Sequence, residues 1–151
     1  MGSGLADANR SARSAIMRAV KSTGTGPERL VRSILWRLAP GYRLNRRDLP
    51  GKPDIAYGAR KLALFVHGCF WHGHQCKRGA RAPKSNAGYW RDKIARNRLR
   101  DAAAAARLID MGWRVVAIFE CEMKDRAALK TRMRRALDES GANTASRQME
   151  I

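Results

Sequence analysis

The chain has 151 residues, enough for one domain with a real hydrophobic core, and it carries 31 basic against 13 acidic side chains for a net charge of +18. So large a positive excess argues for a polyanionic partner, nucleic acid above all, ahead of a generic basic or membrane-surface protein, because the basic residues are spread along the chain instead of lying on one amphipathic helix. No apolar run reaches the roughly 20 residues of a membrane helix. The start, Met1-Gly2-Ser3-Gly4-Leu5-Ala6-Asp7, lacks the basic and apolar regions of a signal peptide.

In chain order, residues 1–12 are small and polar and are expected to be flexible. A short helix is expected over Ser14–Val20, followed by a loop at Ser22-Thr23-Gly24-Thr25-Gly26. Pro27 suits a first helical position and Glu28 an acidic first turn. Leu30, Val31, Ile34, Leu35 and Leu38 then recur at helical spacing, so a helix is predicted over 27–38, ended by Pro40-Gly41. A strand is expected to start within Tyr42–Asn45. Asp54–Tyr57 and Lys61–Val66 read as two strands joined by Gly58-Ala59-Arg60, the second apolar enough to be central and buried. Residues 77–88 read as a basic loop. A long helix is predicted from Tyr89 to Met111 with Gly112 as its stop, then a strand over Trp113–Phe119 and a closing helix over 125–139. The pattern makes 13–141 a single α/β domain with a mixed sheet, and 142–151 a flexible tail.

Between the central strand and the basic loop lies His67-Gly68-Cys69-Phe70-Trp71-His72-Gly73-His74-Gln75-Cys76. This run holds all three histidines and two of the three cysteines. An odd number of cysteines set beside histidines points to metal binding in a reducing cytoplasm, not to a disulfide scaffold. Cys69, His74 and Cys76, joined by Cys121 from the end of a later strand, would close a tetrahedral Cys₃His shell and make a structural Zn²⁺ site. The alternative is three free buried cysteines with incidental histidines. His67 and His72 are left over, at a strand end where α/β proteins place ligands.

Phosphodiester hydrolysis needs a hard cation on carboxylate and carbonyl oxygens. Asp54 is the stronger carboxylate candidate, because an Asp inside an apolar strand is disfavoured by propensity. Glu28 has a competing explanation as a helix N-terminal acid. Phe70 and Trp71 are adjacent, so in an extended chain they would point opposite ways. Trp90 stands among Arg91, Lys93 and Arg96, where an apolar wedge into DNA and ordinary packing are both open readings. Core packing or helix-start stapling is the default for Tyr89.

Several segments together resemble the very short patch repair (Vsr) endonucleases over roughly residues 10–135. They are Met17-Arg18-Ala19-Val20 with Glu28, Leu49-Pro50-Gly51-Lys52-Pro53-Asp54, Phe65 through Cys76, Tyr89-Trp90 with Lys93, Ile94, Asn97 and Asp101, and Gly112-Trp113-Arg114-Val115 through Glu120-Cys121. The resemblance implies a restriction-endonuclease-like, PD-(D/E)xK-type fold. It implies a Mg²⁺-dependent nick in duplex DNA on the 5′ side of the thymine of a T:G mismatch left by deamination of 5-methylcytosine. By position, Asp54 and the Val66 carbonyl would hold Mg²⁺. His72 would act as general base or position the water, His67 would meet the scissile phosphate, and Glu28 would order the water around the metal. Cys69, His74, Cys76 and Cys121 match structural zinc ligands, and Phe70, Trp71 and Trp90 the intercalating aromatics. Val66 stands where the family has a threonine, and Gly73 and Gln75 where it often has histidines. The implied protein is a cytoplasmic monomer, open to contact with other mismatch-repair proteins. Two rivals stand beside it: a nuclease of the same chemistry with another DNA target, and a zinc-stabilised DNA-binding protein without catalysis.

Overall fold

A computed structural model describes residues 24–81 and 84–141. The expected Ser14–Val20 helix, the flexible 1–12 start and the 142–151 tail lie outside them. Helix α1 spans Gly26–Leu38, as the periodicity predicts. The Thr25 hydroxyl caps it by accepting the Glu28 N–H at 3.4 Å, Pro27 occupies the first turn, and Val31 and Leu35 are fully buried. The chain leaves the helix at Ala39, held extended by the proline that follows.

Four strands form one sheet in the order β1-β2-β3-β4: Arg43–Leu44, Ile55–Tyr57, Leu62–His67 and Arg114–Phe119. The first two pairings are antiparallel, while β3 and β4 run parallel in the register Leu62↔Arg114 through His67↔Phe119. Helix α2, Ala87–Asp110, makes the long crossover that parallel neighbours require, and α3, Arg126–Gly141, closes the fold. The expected strand over Tyr42–Asn45 is only two residues long, because Asn45 turns into the left-handed region at φ 48°. The second strand begins at Ile55, so Asp54 stands just outside it, its carbonyl accepting the Asn45 N–H at 3.0 Å.

The long helix starts two residues before Tyr89, on Asn86 in a left-handed conformation, and ends before Met111. Trp113 is buried but precedes the strand it was expected to open, its N–H closing back on the Leu108 carbonyl. A 3₁₀ turn at Glu120–Lys124, unmarked by any apolar periodicity, carries Cys121.

Alternation along the strands divides the core in two. Ile55, Tyr57, Leu62, Leu64, Val116 and Ile118 face α1 and α3, where Leu129 and Met133 meet them. Ala56, Ala63 and Val115 face α2, meeting Ala105 and Leu108. Small residues on that face let the long helix lie close. With neighbours on both edges, β3 is the central strand the apolar run predicted. Leu64→Ala should therefore cost about 2–5 kcal/mol, seen as a lower urea midpoint at unchanged m-value. Leu99→Ala, on a side chain 71% exposed, should stay within about 0.5 kcal/mol in the same measurement.

Candidate active site and metal centre

The parallel pairing carries the C-terminal ends of β3 and β4 out side by side, and two clusters grow from them. In the first, ligand atoms of Cys69, His74, Cys76 and Cys121 all lie within 4.8 Å of one another. The chain returns on itself to build it. The His74 N–H donates to the Cys69 carbonyl at 3.0 Å, and the Cys121 N–H points at the Cys69 sulfur at 3.3 Å. The imidazole of His74 stacks on Phe119, centroids 4.0 Å apart. Gly79 fits only as glycine, because a Cβ there would fall 1.8 Å from the His74 carbonyl oxygen. Burial pushes the Cys69 thiol up to about 12 and raises that of Cys121, whereas the hydrogen bond from His74 draws Cys76 down to about 6. Three sulfurs and an imidazole converging in this way form a soft donor set able to hold one metal ion.

The second cluster lines a cleft of about 540 Å³ between the start of α1, the turn before β2 and the end of β3. Glu28, Asp54, Val66, His67 and His72 all face it, so every residue singled out for phosphate chemistry meets there. Glu28 is only 4% exposed and its carboxylate accepts the Gly24 N–H at 2.8 Å, so it is more than a solvated helix-start acid. Asp54 accepts the Val66 N–H at 2.7 Å, a bond that ties the start of β2 to the end of β3. Burial, helped by the charge of Glu28, lifts its carboxyl to about 6 against the pull of that N–H. The buried Glu28 and half-buried Asp54 carboxylates beside the Val66 backbone make a pocket of hard oxygens, the donor chemistry that suits Mg²⁺.

The rings of His67 and His72 stack at 3.8 Å, and His72 Nδ1 is hydrogen-bonded to Asp101 of α2. Burial and the neighbouring His72 push His67 down to about 4, so it is neutral at pH 7. Burial alone would raise the Asp101 carboxyl, but the His72 contact outweighs it and holds it low. Asp101 had only its place in the α2 segment to mark it. Its contact with His72 spans 29 residues, a separation that no local pattern encodes. Lys52 and Glu120 also reach the cleft.

The aromatics differ from the extended-chain expectation. His72 N–H to Gly68 O and Gly73 N–H to Phe70 O, both 3.3 Å, wrap the segment into turns. Phe70 and Trp71 therefore do not diverge; both rings pack against Trp90, at 5.8 and 5.6 Å, and Tyr89 extends the group at 5.1 Å as a 37% exposed ring instead of a core one. Asn97 fixes the loop by donating to the Trp71 carbonyl at 2.8 Å.

The raised carboxyl of Asp54 has a measurable consequence. Between about pH 4 and 6 the folded state binds more protons there than the unfolded chain, so stability falls as pH rises through that window. With no divalent cation added, Asp54→Asn should be more stable than the parent by on the order of 2 kcal/mol at pH 7.5, and the gap should close below pH 4. Thermal unfolding of both proteins across that range checks it.

A sequence profile of the family described as DNA mismatch endonuclease Vsr matches residues 7–78. The chain is 50% identical over 125 residues to the type II nicking enzyme V.XorIIP of Xanthomonas oryzae pv. oryzae, covering 83% of this chain and 91% of that protein. It is 40% identical to the type II nicking enzyme V.NmeAIP of Neisseria meningitidis, over 85% and 91% of the two chains. To the DNA mismatch endonuclease Vsr of Escherichia coli K12 it is 34% identical, over 80% and 77%. Matches of this extent, to proteins with one described chemistry, settle the relationship: the chain belongs to the Vsr family and is a DNA endonuclease.

Proposed function

We propose that this enzyme nicks one strand of duplex DNA on the 5′ side of the thymine of a T:G mismatch left by deamination of 5-methylcytosine, using Mg²⁺. The observation that carries the reading is the convergence of Asp54, Glu28, His67 and His72 in one cleft, with Trp71 on its wall and the rings of Phe70 and of Trp90 from α2 packed against Trp71. The names of the family profile and of the Escherichia coli relative support mismatched DNA as the target. Residues 13–141 act as a single monomeric domain of the restriction-endonuclease-like, PD-(D/E)xK type, working on DNA in the cytoplasm. No helix among the described residues is long and apolar enough to cross a membrane.

Asp54 and the Val66 carbonyl hold the Mg²⁺, and Glu28 orders water beside it. Bound there, the cation would neutralise the charge that builds on the phosphate and its leaving oxygen. His72 donates its Nδ1–H to the Asp101 carboxylate, which in the neutral imidazole turns the lone pair of Nε2 toward a proton of the attacking water. The water oxygen forms a bond to phosphorus, the bond from phosphorus to the 3′ oxygen breaks, and the products are a 5′-phosphate and a 3′-hydroxyl. His67, uncharged at neutral pH, meets the phosphate by hydrogen bonding and not as a cation. The three aromatics enter the base stack beside the mismatch and open it. Cys69, His74, Cys76 and Cys121 hold a structural Zn²⁺.

A second target reading has its own support, since the relatives at 50% and 40% identity are both described as type II nicking enzymes. It keeps the chemistry and changes the sequence around the cut.

Asp54→Ala should lose nicking of a T:G duplex in Mg²⁺ by at least about 10³-fold while binding that duplex nearly as well as the parent, measured by gel cleavage and by equilibrium binding in Ca²⁺. Full activity in the variant would refute the metal assignment. Parallel T:G, T:C and fully paired duplexes separate the two target readings. Binding should weaken with salt at a log–log slope of about −0.9 per phosphate neutralised. Elemental analysis should find about one zinc per chain, and Cys121→Ser should lose it together with much of the on-the-order-of-10 kcal/mol that such a site supplies to folding.

A further inference from the structure

Asn45 follows β1 directly, at φ 48°, and donates its backbone N–H to the Asp54 carbonyl at 3.0 Å. Its side chain lines the same cleft as Glu28, Lys52 and Asp54. Among the described residues, its Oδ1 is the only buried side-chain polar atom without a hydrogen-bond partner. A buried acceptor left in that condition is unfavourable. The left-handed backbone accounts for asparagine over most residues, but glycine would serve the backbone better. It does not account for an oxygen held bare in an active cleft.

The identity of the missing donor can be narrowed by elimination. Ionised Glu28 and Asp54 offer only acceptors, and so do the phosphates of DNA, while Lys52, a donor in the same cleft, makes no hydrogen bond to this oxygen. Water remains, and Mg²⁺ bound to proteins keeps several of its waters. We propose that Asn45 is a positioning residue, its side-chain carbonyl accepting a hydrogen bond from water in the hydration shell of the cation at Asp54. The inference rests on the assignment of that cation to Asp54. It adds a second residue, on the β1 side of the cleft, to the water-ordering group that Glu28 begins.

Two substitutions separate this role from a purely conformational one. Asn45→Gly keeps the left-handed backbone and its N–H and removes the oxygen; Asn45→Asp keeps both the backbone tolerance and an acceptor. Mn²⁺, a spectroscopic stand-in for Mg²⁺, is titrated into the full zinc-containing chain without DNA, and free ion is followed by electron paramagnetic resonance. Asn45→Gly should bind Mn²⁺ about tenfold more weakly, in line with losses at other positions that orient metal-bound groups, while Asn45→Asp binds at least as well as the parent and both variants stay folded. Equal affinity in parent and Asn45→Gly would overturn the role. If the parent takes up no Mn²⁺ that Asp54→Ala abolishes, the cation assignment itself fails and this inference with it. Duplex binding without divalent cation should be the same in all three proteins. A loss there in Asn45→Gly, with Mn²⁺ affinity intact, would place the oxygen on DNA and refute the proposal.

Discussion

The in-register parallel pairing of β3 with β4 is the constraint on which everything else depends. It sets His67 beside Phe119, and the residues that follow, Cys69 and Cys121, then leave the sheet within reach of each other. A slip of one residue would turn each strand's buried side chains to the other face of the sheet and separate these ends. The pairing is held by core residues of both strands, with Leu62, Ala63, Leu64, Val116 and Ile118 fully enclosed between α1, α3 and α2. Phe119 carries the consequence outward. One imidazole of the metal cluster stacks on its ring, and His67 of the cleft lies 5.6 Å from it. The metal clip and the reactive cleft are therefore two outgrowths of one strand pair, joined by a shared aromatic wall.

The electrostatics of the cleft run against those of the chain. A protein of net charge +18 buries Glu28 and half-buries Asp54, two of its 13 acids, close enough for the charge of one to help raise the other. Folding alone does not reward that choice, because carboxylates without a compensating cation lose hydration and repel. The adjacent pair is arranged in the opposite sense. His72 has a carboxylate partner in Asp101, whereas His67 is kept neutral by burial and by His72 itself. The carboxyl of Asp54 is raised while that of Asp101 is held low, and cleft groups pushed in different directions are what acid–base chemistry at neutral pH requires. The basic exterior attracts the polyanion, and the cleft supplies the local negative field that a cation is needed to offset.

Much of this was legible in the sequence, and what was missed has a physical pattern. The 26–38 helix, the central strand and the His67–Cys76 cluster were readable because periodicity and ligand chemistry are local properties of the chain. Every residue chosen for phosphate chemistry reached the cleft, and the four metal-type side chains converged. Asp101 carried no role, because its meaning comes from a helix laid across the sheet. The 3₁₀ turn bearing Cys121 has no apolar period to announce it. Asn45 looked like part of a strand, and only its backbone dihedral and the bare oxygen distinguish it. Phe70 and Trp71 were misjudged in direction because an extended chain was assumed where backbone hydrogen bonds coil it into turns.

That coiling bears on how one scaffold serves different DNA targets. The groups that face the phosphate sit where the sheet ends, braced by the Asp54–Val66 bond and by the core behind it. The aromatics sit on the turn between His67 and the metal cluster and on the first turn of α2, linked to each other by ring contacts and by the bond from Asn97 to the Trp71 carbonyl. A substitution at the start of α2 can reshape the aromatic group while leaving Asp54, Val66 and His67 where the sheet puts them. Asp54, Val66 and His67 thus lie at the sheet ends, whereas Phe70, Trp71 and His72 lie on the turn and Trp90 on α2. The metal cluster that follows the turn limits how far it can move.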